Sequence, residues 1–359
     1  KGHIHSRSET VIHRRILPFD KGECVMGITA KELAKKLNLS AAAVSMALHD
    51  QPGVSTETRK RVKLAAEKYG YDLSRIQTRK AQGGTIDFLV YKKSGAIVGD
   101  TPFFSELTDG IADTCSHLGW KLRITYLYES DLENRDLYSF LTADCRGVLI
   151  LGTEMVTEDL KPFLALQIPF VLLDSYFETF LCDTVLINNV QGAYLAARHL
   201  IARCKAQPGF LQSSFPINNF RERADGFYKA IREAGMSPSQ CIVHELTPSL
   251  TGAYADMKAI LARKDPLARC YFAENDYIAA GALRAFKEAG FRIPKDIAIV
   301  GFDNLPAGEV LDPPLTTINV PKRALGEEAV LRLVRRIENP NLPITKTEVA
   351  ATLVDRYSC

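Results

Sequence analysis

From residue 86 onward the chain alternates two textures: short, nearly continuous apolar runs, and longer stretches whose apolar residues recur every three or four positions. The runs fall at 86–91, 122–128, 148–151 and 170–174, then at 209–212, 242–246, 269–273 and 297–302. Helical stretches at 103–118, 132–141, 160–166, 191–202, 220–234, 253–262 and 277–289 separate them. A strand that is apolar at almost every position needs cover on both faces, and helices between successive strands supply it. The pattern therefore predicts an α/β body with parallel sheets. Because it comes as two series, two doubly wound lobes with a cleft between them are expected.

A different texture precedes the body. Thr29-Ala30-Lys31-Glu32 is a capping box that opens a short helix with Leu33, Ala34 and Leu37 on one face. Asn38-Leu39-Ser40 makes a tight turn, and Ser40 caps a second helix over 41–49. Gln51-Pro52-Gly53 breaks the chain. Ser55 then caps a third helix over 56–69, with Val62, Ala65, Ala66 and Tyr69 inward and Gly70 as its stop. Three short helices with a tight turn between the first two meet the requirement of a helix-turn-helix, whose second helix enters the major groove. They equally meet that of a small structural bundle. Charge favours the first reading. Residues 1–82 carry 16 Lys and Arg against 8 Asp and Glu, and the remainder carries 29 against 34. A basic head on a mildly acidic body suits a polyanion-binding module joined to a part that binds none, although a basic solvated tail gives the same balance.

Residues 1–26 show no periodicity, and Met26 directly precedes the capped helix. That stretch reads as an extension with little order, either a basic arm or residues upstream of a start at Met26. No apolar run is long enough for a transmembrane helix, and the polar opening lacks a signal peptide's apolar stretch, so a cytoplasmic location without membrane contact is expected. The 8 cysteines are scattered without a C-x-x-C pair and read as reduced core thiols. No phosphate loop, dinucleotide fingerprint, nucleophile elbow or H-E-x-x-H is present. His3 and His5 make no metal site. No enzyme activity, cofactor or metal is expected.

The head segments Ile28-Thr29-Ala30-Lys31-Glu32-Leu33-Ala34, Leu39-Ser40-Ala41-Ala42-Ala43-Val44-Ser45-Met46-Ala47-Leu48 and Tyr69-Gly70-Tyr71 resemble the LacI/GalR (lactose-repressor) family. So do Phe103-Phe104-Ser105-Glu106-Leu107, Asn275-Asp276, Val300-Gly301-Phe302-Asp303 and Pro313-Pro314-Leu315-Thr316-Thr317-Ile318, which follow in family order. The resemblance spans 28 to about 357. It implies a sequence-specific transcriptional regulator, most often a repressor. Its partners would be double-stranded operator DNA, a sugar or sugar-phosphate effector, and a second copy in a homodimer that reads two half-sites.

By position in that family, Ala41, Ala42 and Met46 read base edges, while Thr29, Ser40 and Ser45 approach phosphates. None of the three reading residues can make the bidentate arginine–guanine contact, so thymine methyls are the expected targets. His49, Arg75, Ile76 and Lys80 complete the DNA-contact candidates. In the linker Lys80 replaces the family's minor-groove leucine wedge, with Ile76 as a possible substitute. Asp174, Arg223, Asn275 and Asp303 fall at effector-binding positions, with Asn189 and Thr247 as weaker candidates. Independently, Asp174 and Asp303 end apolar strands, where the crevice of an open sheet lies. The expected domains are an extension at 1–26, the helix-turn-helix at 27–71, a linker at 72–83, a first lobe from 84–188 and 322–345, and a second from 189–321 and 346–359. Two other classes fit parts of the pattern: a sugar-binding module without DNA binding, and a sugar-processing enzyme.

Overall fold

The computed structural model describes residues 28–48, 54–69, 71, 84–99, 101–134 and 136–359. The head and the body form two separate compact units. In the head, α1 (Ala30–Leu37), α2 (Ala41–Leu48) and α3 (Thr56–Lys68) enclose a core of Leu33, Ala34, Val44, Ala47, Leu48, Val62, Ala65 and Ala66. The capping box forms as read: Glu32 N–H donates to Thr29 Oγ1 at 3.3 Å and Thr29 N–H donates to the Glu32 carboxylate at 2.7 Å. Asn38 closes α1 in the left-handed region at φ 55°, which asparagine tolerates better than most residues. One expectation fails here. Tyr69 does not point into the core but is 40% exposed, with the Lys36 ammonium 4.5 Å above its ring. The half-buried Tyr71 packs on the core instead.

The body holds two six-stranded sheets. The first is built from β1 (Thr85–Lys92), β2 (Lys121–Tyr128), β3 (Cys145–Leu151), β4 (Phe170–Leu173), β5 (Asp183–Ile187) and β11 (Lys346–Val349), in the order β11-β5-β4-β3-β1-β2. The second is built from β6 (Gly209–Ser213), β7 (Val243–Leu246), β8 (Cys270–Ala273), β9 (Ala298–Asp303), β10 (Thr316–Asn319) and β12 (Thr352–Val354), in the order β12-β10-β9-β8-β6-β7. The pairs are parallel except β10 with β12. Helices α4 (Pro102–His117) and α9 (Lys322–Glu338) serve the first lobe. Helices α5 (Asn189–Cys204), α6 (Asn218–Glu233), α7 (Leu250–Arg263) and α8 (Asp276–Glu288) serve the second.

The chain thus crosses between lobes three times: after β5, after β10 and between β11 and β12. The last crossing corrects the expected boundary, which gave all of 346–359 to the second lobe. Lys346–Val349 first pairs with β5. Asp183 explains why. It sits in the buried β5 strand and accepts from Arg332, from Arg336 at 2.8 Å and from the Thr345 N–H at 2.9 Å. The same two arginines donate to the carbonyls of Pro340, Leu342 and Pro343. This draws the chain after α9 onto the edge of the first sheet before it departs. Burial opposes the charge on Asp183, yet these bonds hold its carboxyl below the usual range. A polar start hides β5 among the apolar runs: Asp183 and Thr184 are buried, and Asp183 has dedicated partners.

Among the described residues no helix is long and apolar enough to cross a membrane, and no cluster of three His, Cys, Asp or Glu side chains can hold a metal ion.

Candidate functional site

The carboxyl ends of the strands of both sheets border a cavity of about 390 Å³. All four leading candidates line it: Asp174 from the first lobe, and Arg223, Asn275 and Asp303 from the second. Local geometry accounts for each. Asp174 follows β4 with φ 63°, and Asp303 ends β9 with φ 107°. Positive φ turns the chain sharply at the two strand ends, and the second value is strained for any residue but glycine. Asn275 is the N-cap of α8 and accepts the Ile278 N–H at 2.8 Å, which leaves its amide NH₂ as the donor it can offer. Arg223 stands one turn into α6 and is only 3% exposed.

Arg223 is the hub of the second-lobe wall. Its Nη2 lies 3.2 Å from Asp303 Oδ1, its Nε donates to Asn189 Oδ1 at 2.9 Å, and its Nη1 donates to the Glu274 carbonyl at 2.5 Å. Its guanidinium also lies 3.7 Å from the centre of the Phe302 ring, a geometry suited to cation–π attraction. Around it burial raises a set of carboxyls. Glu274 is pushed up to about 8, against a 2.6 Å bond from the Ser213 N–H and the charge of Arg223. Asp276 is pushed up to about 7 by burial and the nearby charge of Asp303, although the Thr317 hydroxyl and the Leu305 N–H both donate to it. Asp303 is itself raised by burial, with Arg223 and Lys322 opposing. In the first lobe, burial pushes Asp174 up to about 6, while the Thr153 hydroxyl at 2.6 Å and the Asn219 amide at 3.0 Å donate to its two oxygens.

The two weaker candidates do not line the cavity. Asn189 stands behind it, buried, joining Arg223 to Glu222 at 2.9 Å and to Asn219 at 3.3 Å. Thr247 is just upstream, its N–H donated to Asp256 at 2.8 Å, and Pro248, Ser249 and Leu250 form the wall instead. Ser249 caps α7 by accepting the Gly252 N–H. The sequence reading also missed the apolar walls. Phe103 and Phe104, packed edge to face at 5.0 Å, close the first-lobe side, and Phe220 and Tyr277 close the second. The Phe103-Phe104 pair was visible as a motif, but nothing in it says that it faces a cavity.

In the head, Ser40 Oγ accepts the Ala43 N–H at 3.1 Å and so caps α2. Ser40 and Ala41 are exposed, and Ser45 and Met46 are half-buried on the same helix. Thr29 is exposed at the start of α1, its hydroxyl engaged by Glu32. Ala42 lies within α2, and nothing of its side chain is described. His49, Arg75, Ile76 and Lys80 lie outside the described residues, as do the expected extension at 1–26 and linker at 72–83.

Comparison with known proteins agrees with this architecture. Residues 197–359 match the model of a periplasmic binding protein-like domain. The HTH-type transcriptional repressor PurR of Photobacterium profundum is 30% identical over 337 residues, which is 92% of this chain and 98% of that protein. PurR of Klebsiella pneumoniae is 31% identical over 337 residues, 92% of this chain and 96% of that protein. Among solved structures, the transcriptional regulator CelR in complex with cellobiose superposes with a TM-score of 0.69 at 23% identity, covering 92% of this chain and 100% of that one. A lac repressor dimer bound to operator and an anti-inducer gives 0.67 at 23% identity, covering 92% and 99%. A LacI family regulator from Enterococcus faecium with bound ribose gives 0.65 at 27% identity, covering 76% and 98%. The chain belongs to the LacI/GalR family: it is a DNA-binding transcriptional regulator controlled by a small-molecule effector, and not an enzyme.

Proposed function

We propose that the effector is a neutral sugar held in the cavity between the lobes by Asp174, Arg223, Asn275 and Asp303. The observation that carries this reading is the composition of the wall. Carboxylates, an amide and a guanidinium suit adjacent hydroxyls, and Phe103, Phe104, Phe220 and Tyr277 supply apolar faces for the carbons between them. Among the described residues that line the cavity, Arg223 is the sole cation, and Asp303 already opposes it. A phosphate would meet the buried Asp174 and the half-buried Asp303 with no surplus positive charge, so of the two effector classes the family suggests, the unphosphorylated sugar is favoured. Two similar regulators carry sugars, one cellobiose and one ribose.

α2 is the reading helix in this proposal, with Ala41, Ala42 and Met46 toward base edges and Ser40, Ser45 and Thr29 toward phosphates. Operator affinity then falls steeply with salt, because each phosphate neutralised releases counterions. The working unit is a homodimer in the cytoplasm. Edge strand β2 carries Ile124, Tyr126 and Tyr128 at alternate positions, 41%, 51% and 52% exposed. Such an apolar edge is a hazard in a monomer and useful in a pair. Sedimentation of the full chain checks this, and only monomer at micromolar concentration, with and without operator, contradicts it.

The experiment that tests the effector reading is a thermal-shift screen of matched neutral and phosphorylated sugars. A ligand that binds only the folded state raises apparent stability, by roughly 2.7 kcal/mol at one hundred times its Kd. A neutral sugar should raise the melting temperature and its phosphate ester should not. Stabilisation by the phosphorylated member alone overturns the proposal.

A further inference from the structure

We propose that Glu154 positions the effector: its carboxylate gathers the loop over 93–99 into the first-lobe wall of the cavity. The inference rests on the reading that this cavity holds the effector. The loop joins β1 to α4 and contributes Gly95, Ala96, Ile97 and Gly99 to the lining. It forms no helix or strand, so its N–H groups need other acceptors. Five of them converge on one side chain. Glu154 Oε2 accepts from the N–H groups of Lys93, Ser94 and Gly95 at 2.8, 2.9 and 2.9 Å, and Oε1 accepts from those of Ile97 and Val98 at 2.8 Å each. Glu154 is 5% exposed.

Successive N–H groups aimed at one point form an anion-binding concavity. Here the anion is a side chain brought in from the turn after β3. Gly95 makes the wrap possible with φ at +68°, which glycine adopts freely; a residue with a Cβ would find open space there but a strained backbone. Burial works against the charge of Glu154, but the N–H groups of Val98, Gly95, Ile97 and Ser94 outweigh it and hold the carboxyl below its usual range. Both oxygens are needed as acceptors, which only the ionised form provides. The neighbouring Thr153 donates its hydroxyl to Asp174. One turn therefore fixes both the strand-end acid and the wall that faces it.

The side chain has no other evident employment. Lys93, the charged residue nearest the loop's start, pairs elsewhere, with Glu129 at 2.8 Å and Asp159 at 3.4 Å. Core packing alone does not call for an acid at this position. Glu154→Gln keeps the shape but turns an NH₂ toward two or three N–H donors, so it tests the carboxylate and not the volume.

The test is hydrogen-exchange mass spectrometry on the full chain without ligand. In Glu154→Gln the segment 93–99 should exchange at least tenfold faster than in wild type, with β1, β3 and α4 unchanged. Gly95→Ala, which strains the same loop while leaving Glu154 intact, should reproduce the effect, and Glu154→Asp should partly restore protection. Wild-type exchange of 93–99 in Glu154→Gln overturns the proposal. Equal loss of protection in β1 and β3 also overturns it, since Glu154 would then be an ordinary part of the core. Calorimetry with ribose and cellobiose, and with any other neutral sugar that stabilises the wild type, supplies the second arm. Its Kd should rise about tenfold in Glu154→Gln, and an unchanged Kd with a freed loop removes the link to the effector. If no sugar stabilises the wild type, the sugar reading falls while the exchange result still decides the role of Glu154.

Discussion

The two walls of the cavity are held by different kinds of bond. On the second-lobe side, a charged network holds the wall: Arg223 is clasped by Asp303, Asn189 and the Glu274 carbonyl, and the Asp276 carboxylate ties the turn after β9 through the Leu305 N–H. On the first-lobe side, backbone fixes the wall, and one carboxylate gathers the loop that forms it. A buried charge network is rigid and intolerant, because removing one member strands the others without water. A loop held by N–H groups breaks no ion pair when it loosens, although the Glu154 carboxylate then loses its donors. The second wall is thus suited to fix the ligand's orientation, and the first to decide what fits against it.

The sharpest way to break this contrast is Arg223→Ala. It leaves the half-buried Asp303 near Asp276 with its main opposing charge gone. We expect the body to lose about 3–5 kcal/mol in chemical denaturation, the usual result of stranding one partner of a buried pair. A loss below about 1 kcal/mol would mean that the second wall does not depend on this network. Because Arg223→Ala confounds binding with folding, Asp303→Asn, which removes the negative charge but keeps an oxygen toward Arg223, is the milder probe of the cavity.

Thr153→Ala addresses the first wall. It removes a 2.6 Å bond to Asp174 and should cost about 1.5–3 kcal/mol, the range for hydrogen bonds to charged groups. With that bond gone, burial prevails further and the Asp174 carboxyl should rise above its present value of about 6. Proton titration of Asp174 by NMR checks the direction, and an unchanged value would show that Thr153 does not stabilise the anion.

The smallest effect is a pH slope. Glu274 and Asp276 have pKa values raised to about 8 and about 7, so the folded body binds more protons than the unfolded chain near neutrality. Their contribution to stability is full below the unfolded carboxyl range and is lost as pH rises through these values. His199 and His244 are lowered by burial and act in the opposite sense only below about 6.5, the unfolded histidine value. Between about 6.5 and 8 the carboxyls therefore dominate, and stability should fall by about 1 kcal/mol per pH unit. Glu274→Gln should flatten the slope, and a slope that survives both Glu274→Gln and Asp276→Asn would place its origin elsewhere.

This contrast also explains what the sequence made legible. Asp174, Arg223, Asn275 and Asp303 could be named because the family resemblance places them, and for Asp174 and Asp303 an acid at the end of an apolar strand is conspicuous by itself. The backbone wall could not. Where Ile97 lies depends on N–H groups that look alike in any sequence, and on Glu154, which is distant in the chain. Thr247 was a near miss, because Ser249 and not Thr247 caps α7 and so decides which residues reach the cavity. Asn189 was named as a weaker effector-binding candidate, whereas it stands behind Arg223 and accepts from its Nε. The two lobes followed from periodicity, whereas β5 and the position of the last crossing needed the Asp183–Arg332–Arg336 cluster, which no local pattern announces.

The claim that the cavity controls the head is tested most directly by operator titrations of the full chain, wild type and Asp303→Asn, across a range of the sugar found to stabilise the wild type. The account predicts that the sugar shifts wild-type operator affinity at least fivefold, which is about 1 kcal/mol of coupling. It predicts that Asp303→Asn needs at least ten times more sugar for the same shift, while its operator affinity without sugar stays within twofold of wild type. A response at the same sugar concentration in both proteins would contradict it.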